Sequence, residues 1–274
     1  MKKISIGKWR RLQQASSEQG TFTVLAADHR GPLRVALAER TGKEPSDDDL
    51  SRLKQDMVRE LASATTAVLL DHETGAGPCI TSGALPGRTA LLMAMDNGSS
   101  EDPALADMSL VKGWSVEQCA AIGAAGVKLL AFYHPDSPSA GKTEGLISEV
   151  AEACKRADLL FYLEPLSYVP GAPGQRLSSA ERRRVVIESA RRLVPLGADT
   201  LKAEFPLDVD EQPDEAEWQV ELRDSSHSDG RRGVLRTPGG WQGHTRWEGI
   251  GGRQGRGGVS PPSGAIGGGT PPLP

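Results

Sequence analysis

FTVLAADHRG, residues 22–31, is the stretch on which the fold turns. It is an apolar run of strand length, and it ends in Asp28-His29-Arg30-Gly31. Five similar runs follow: TAVLLDHE (66–73), ALLMAMD (90–96), GVKLLAFYHPD (126–136), LLFYLEPLSY (159–168) and DTLKAEFP (199–206). Continuous apolar runs of this length suit strands buried on both faces, as in parallel sheets. Between them lie stretches with helical periodicity at 47–64, 115–126, 143–157 and 178–197. The first has acidic residues in its opening turn. The last opens on serines and Glu181 and stops at Pro195 and Gly197. Strand and helix alternate, so the chain is α/β. A doubly wound nucleotide-binding sheet carries a glycine-rich turn after its first strand, and DHRG is not one. Polar residues finish nearly every run, which is how a (β/α)8 barrel builds a site on the C-terminal face of its strands. The sequence therefore predicts a TIM barrel, incomplete, with about six βα units. The amphipathic segment GKWRRLQQASSEQ (7–19) is placed to close its bottom.

The 274 residues carry a net charge of −4, which argues against a dedicated nucleic-acid or anionic-membrane surface. No apolar run reaches the length of a membrane span, and the basic N-terminus lacks the apolar stretch of a signal peptide. Cys79, Cys119 and Cys154 are odd in number, widely separated and without a C-x-x-C pair. A reducing compartment and a cytoplasmic protein are expected.

Composition breaks near Trp218. The tail, residues 219–274, has no lysine, nearly half of the chain's glycines and no apolar periodicity. It cannot bury enough surface to offset the entropy of ordering itself. The expected organisation is a partial barrel domain over 1–218 followed by a low-complexity, Gly/Pro/Arg/Ser-rich disordered tail. GGRQGRGG (251–258), with Trp241 and Trp247, opens a competing reading of the tail as an RNA-binding segment.

Lys202 is the last lysine in the chain and lies inside an apolar strand-like run. Burial disfavours an ammonium ion and makes a neutral, nucleophilic amine accessible. The competing reading pairs it with a buried carboxylate such as Glu164 or Glu204. Lys128 occupies a comparable place in the fourth run, as a second cation or as an ion-pair partner. Glu164, near the end of the fifth run, is a candidate acid/base or a tether for one of the lysines. Asp28 and Asp71 end the first two runs and are candidates to bind a sugar hydroxyl, to orient a lysine or to cap the following turn. His29, His72 and His134 each follow a strand. Three imidazoles near one barrel mouth raise a zinc-dependent alternative, though their spacing carries no ligand signature.

Two lysines and a glutamate on parallel strands point to Schiff-base chemistry on a carbonyl. The segments LAADHRGPLR (25–34), VLLDHETG (68–75), GALPGRTALL (83–92), GWSVEQCAAIGAAGVKLLAFYHPD (113–136), LEPLSY (163–168) and GADTLKAEFP (197–206) resemble the tagatose 1,6-bisphosphate aldolase family. That family of class I barrel aldolases includes sulfofructose-phosphate aldolases, and the likeness runs over residues 3–217. The resemblance implies Lys202 as the Schiff-base lysine and Glu164 as the acid/base. It places Lys128 and Asp28 in the same pocket, with Arg30 as a further substrate contact. It implies cleavage of a bisphosphorylated ketose to dihydroxyacetone phosphate and glyceraldehyde 3-phosphate, with no metal and no cofactor. The expected partner is a small sugar phosphate, with no nucleic acid and no membrane, and the intact family fold is compatible with a homo-oligomer. His72 stands where the family more often has proline. Strands seven and eight, whose loops hold phosphate in many barrels, are not visible after residue 206. The expectation is a chain truncated or shifted in reading frame after about residue 218, with impaired activity or none. Translating the coding DNA in the other two frames beyond codon 218 checks the frameshift. A lost apolar strand is expected in one of them, and its absence from both contradicts the idea.

Overall fold

The computed structural model describes residues 4–97, 108–172 and 174–206, and the backbone of 233–237 and 246–248. The first strand is β1 (Val24–Ala27), after helix α1 (Ile6–Ala15). Then come α2 (Gly31–Thr41), α3 (Asp47–Leu61), β2 (Ala67–Leu70), α4 (Ala76–Thr81) and β3 (Ala90–Ala94). They are followed by α5 (Val116–Ala121), β4 (Gly126–Phe132), α6 (Ala140–Arg156), β5 (Leu160–Leu166), α7 (Ser179–Leu193) and β6 (Thr200–Glu204). All six expected strands and the helices expected between them are present. The signals that start the helices are local. Ser46 and Asp49 form a reciprocal capping box on α3, and Ser178 accepts the Glu181 N–H at the start of α7.

Each strand lies beside its successor, and β1 to β6 pair in parallel. Consecutive order without reversal is barrel winding, not double winding, and the six strands curl into a half-barrel. Side chains alternate between two cores. Val68, Leu70, Met93, Val127, Leu129, Phe161 and Leu163 face outward onto Val58, Ile147, Val150 and Leu193 of the helices. Ala67, Leu69, Ala90, Leu92, Leu160 and Tyr162 face inward, with Ala15 and Phe22 beneath them. Both faces of the sheet are buried, which is why the strands read as unbroken apolar runs. The three cysteines are buried and free. Burial pushes the Cys79 and Cys119 thiols up to about 11.

Helix α1 closes the bottom of the half-barrel, as its sequence implies. Lys8 Nζ is 2.5 Å from Asp199 Oδ2, just before β6. The Arg11 guanidinium donates to the carbonyls of Ala124 and Asp158, at 3.4 and 3.2 Å. Gly7 makes this approach possible, because a Cβ there would sit 2.5 Å from Asp158 Oδ2.

Helices α2 and α4 are absent from the sequence expectation. Helix α2 buries none of its residues, so it carries no amphipathic signal, and α4 has only six residues. The C-terminal region departs further. A strand β7 (Gly233–Thr237) pairs parallel to β6, and β8 (Arg246–Glu248) pairs antiparallel to β7. The sequence shows no strand there. The free edge of β6 presents unpaired N–H and C=O groups, and backbone pairing satisfies them without an apolar pattern in the added strand. The antiparallel β8 is not a barrel strand, and among the described residues nothing pairs it with β1. The rest of the tail, including its assignment as disordered and the segment 251–258, lies outside the described residues. No helix of the described residues is long and apolar enough to cross a membrane.

Candidate active site

Four charged side chains, Asp28 just after β1, Lys128 on β4, Glu164 on β5 and Lys202 on β6, come together above a cavity lined by Val24, Ala26, Leu69 and Leu92. Register explains the grouping. Lys128 lies between Ala94 of β3 and Tyr162 of β5, and Tyr162 aligns with Thr200 of β6. Two residues up each strand, Glu164 and Lys202 come side by side. The side chains meet as that register requires. Lys202 Nζ donates to Glu164 Oε1, and Lys128 Nζ is 3.0 Å from Glu164 Oε2. The second contact is an ion pair without hydrogen-bond alignment, so Oε2 has no hydrogen bond. Lys128 Nζ donates instead to Asp28 Oδ2 at 2.9 Å and to Asp96 Oδ1 at 3.4 Å. The sequence left Glu204 open as a partner for Lys202. In the structure Glu204 Oε2 accepts the Ser167 N–H at 2.6 Å, and Lys202 pairs with Glu164.

The electrostatics follow from burial and pairing. Lys128 is 4% exposed, and desolvation alone would favour its neutral form. Asp28, Glu164 and Asp96 outweigh that and hold its pKa well above the usual value. Burial would raise the Glu164 carboxyl, but the charges of Lys128 and Lys202 bring it below its ordinary value. Asp28 balances in the same way, burial against Lys128, His29 and Lys202, and falls far below the carboxylate range. Burial lowers the pKa of His29, which lies within electrostatic reach of Asp28, Lys128, Lys202 and Glu164. Beneath the two lysines is a cavity of about 20 Å³, bounded by Val24, Ala26, Leu69, Leu92 and Tyr162. That is room for a water and not for a sugar.

Four of the six residues singled out from sequence, Lys202, Glu164, Lys128 and Asp28, are thus brought together. Arg30 lies at the edge of the group. Its Nη2 donates to the Asp96 carbonyl at 2.6 Å, and its Nη1 is 3.7 Å from Glu73 Oε1. Asp71 is not part of the group. It is fully buried against Lys54 of α3, and its Oδ2 accepts the Thr74 N–H at 2.7 Å. Losing one member of such a buried pair costs about 3–5 kcal/mol, so the Lys54–Asp71 pair ties α3 to the end of β2. The histidines separate as well. His72 faces Trp114, with ring centroids 6.0 Å apart, whereas His134 faces Tyr168 at 6.3 Å and accepts the Asp136 N–H. Among the described residues no group of three His, Cys, Asp or Glu is placed to hold a metal ion. Sequence reasoning missed Asp96, although it ends ALLMAMD as Asp28 ends its own run.

A half-barrel of parallel strands with a lysine–carboxylate cluster at their C-terminal ends defines a class of protein. The chain belongs to the DeoC/LacD family of aldolases, whose model matches residues 22–241. It is 28% identical over 212 residues to a tagatose 1,6-diphosphate aldolase of Streptococcus agalactiae, covering 74% of this chain and 64% of that protein. A tagatose 1,6-diphosphate aldolase of Listeria monocytogenes is 27% identical over 216 residues, 76% of this chain and 62% of that protein. The chain thus spans less than two thirds of the length of these relatives. Its fold resembles that of an archaeal fructose-1,6-bisphosphate aldolase solved with its catalytic lysine bound to the carbinolamine intermediate. There the TM-score is 0.54 and the identity 16%, over 84% of this chain and 79% of that one.

The cluster predicts how stability depends on pH. The Asp28 and Glu164 pKa values are lower folded than unfolded, so their contribution is complete above the unfolded carboxylate range and is lost as pH falls through the folded values. The midpoint of urea unfolding is expected to hold between pH 7 and about 5 and to fall steeply below about 4. An unchanged midpoint at pH 3 contradicts the ionic cluster.

Proposed function

We propose that the protein is a class I aldolase that cleaves tagatose 1,6-bisphosphate, or a related ketose phosphate, to dihydroxyacetone phosphate and glyceraldehyde 3-phosphate. The observation that carries this reading is the Lys202–Glu164 pair, with the Lys128 ammonium on the other oxygen of the same carboxylate. The Lys202 ammonium gives its proton to Glu164, and the free amine adds to the substrate ketone. Loss of water leaves an iminium ion. Glu164 returns its proton to the departing water and then takes the C4 hydroxyl proton, as the C3–C4 electrons flow into the iminium and the aldehyde departs. Protonation and hydrolysis of the remaining enamine release dihydroxyacetone phosphate and return Lys202. Glu164 serves as the acid/base, a role that typically contributes about 10²–10⁴-fold. Lys128 keeps its charge and stabilises oxygen atoms that become negative. Asp28 orients Lys128, which it meets at 2.9 Å, and Arg30 is a further candidate substrate contact.

Three findings support this reading. The chain belongs to an aldolase family, its relatives are tagatose 1,6-diphosphate aldolases, and a structure of the same fold carries its intermediate on a lysine. The substrate of a sulfofructose-phosphate aldolase carries a sulfonate in place of one phosphate and the fructose configuration at C4, so turnover of the two substrates side by side separates the alternatives.

Borohydride reduction in the presence of dihydroxyacetone phosphate tests the mechanism. Mass spectrometry is expected to find one adduct, on the peptide carrying Lys202, and none in K202M. No adduct in the native chain, or an undiminished one in K202M, contradicts the proposal.

A further inference from the structure

Asp96 lies two residues beyond the end of β3. Its carboxylate joins three groups from different parts of the chain. Oδ1 accepts from Lys128 Nζ at 3.4 Å and from the Leu130 N–H at 3.2 Å, and Oδ2 is 3.3 Å from Arg30 Nη2. The same Arg30 nitrogen donates to the Asp96 carbonyl at 2.6 Å. The main chain fixes the residue from both sides. Met95 O accepts the Val111 N–H at 2.9 Å, and Asn97 N–H donates to Ser109 O at 3.2 Å. Asp96 itself forms an antiparallel bridge with Leu110, and the Asn97 amide donates to Ser109 Oγ at 2.6 Å.

Of the other two carboxylates around Lys128, Asp28 Oδ2 is the nearer, at 2.9 Å. Glu164 is shared with Lys202 and loses its charge whenever it takes that lysine's proton. Asp28 follows β1, whose outer edge pairs with nothing among the described residues. A lysine side chain has four rotatable carbons and a rotamer entropy of about 2 kcal/mol, so an ammonium held by a charge that comes and goes would swing away. Asp96 sits on a backbone clamped to residues 109–111.

We propose that Asp96 is a second positioning residue of the site, beside Asp28. It holds the Lys128 ammonium beside Glu164 throughout the proton transfers and joins it, through Arg30, to the mouth of the barrel. The inference rests on the Schiff-base reading for the proton transfers at Glu164 and for what Lys128 does there, whereas the contacts of Asp96 with Lys128 and Arg30 stand apart from it.

The test compares native protein with D96N, D96E and S109A, using two readouts. One is the rate of borohydride trapping with dihydroxyacetone phosphate. The other is the proton–nitrogen NMR signal of the Lys128 ammonium, assigned by its loss in K128R. In D96N the signal is expected to broaden beyond detection and trapping at Lys202 to slow by on the order of tenfold or more, as displacement of a catalytic group by about 1 Å does. D96E, which returns the charge one methylene away, is expected to fall between D96N and the native protein. S109A cuts only the hydrogen bond from the Asn97 amide to Ser109 Oγ, leaves the backbone hydrogen bonds that hold Asp96 in place, and is expected to match the native protein. A native-like signal and rate in D96N overturn the proposal, as does an S109A defect equal to that of D96N. If circular dichroism shows that D96N does not fold, D96E decides, and a native rate and signal there overturn it. If the native protein forms no adduct, the Schiff-base reading falls alone, and the ammonium signal still decides the role of Asp96.

Discussion

A buried ammonium group with three carboxylates around it organises this molecule. Lys128 reaches Asp28 after β1, Asp96 after β3 and Glu164 on β5, and so ties together strands far apart in sequence. Glu164 then reaches Lys202 on β6, and Asp96 reaches Arg30. Formal charges in the group balance, three positive against three negative. Without that balance the apolar tiers beneath would be an unfavourable place for any ion. The balance also keeps Lys128 charged and Glu164 ionised.

The fold was legible because both faces of the sheet are covered. Each strand reads as an unbroken apolar run, and its closing polar residue marks the face on which chemistry gathers. The missing glycine-rich turn after Ala27 correctly separated barrel winding from double winding. Helix α2 was not legible, because a helix that buries nothing leaves no periodic trace. Strand β7 was not legible for a related reason. It is held by the backbone edge of β6, and edge pairing asks little of the side chains.

The site was legible where the cost of burial is visible in sequence. Lysines in apolar strands, and a glutamate between apolar residues, stand out as charges that need partners. Asp71 stood out on the same ground, but its partner, Lys54, is on a helix of the outer layer, and nothing in the sequence tells the two faces apart beyond the last strand residue. Asp96 is the converse case. Its position matched that of Asp28, yet its importance depends on Lys128 lying one strand away in register, which only the pairing of β3 with β4 shows. The histidines looked alike in sequence because each follows a strand, and the structure sends His72 and His134 to different neighbours.

The central claim is that the nitrogen of Lys202 is the atom that joins the sugar, with Glu164 and Lys128 on either side of one proton path. A diffraction structure of the protein with dihydroxyacetone phosphate tests it most directly. The account predicts continuous density from Lys202 Nζ to the ketone carbon, with Lys128 still held between Asp28, Asp96 and Glu164. A ligand joined to Lys128, or bound only outside the strand ends, contradicts it.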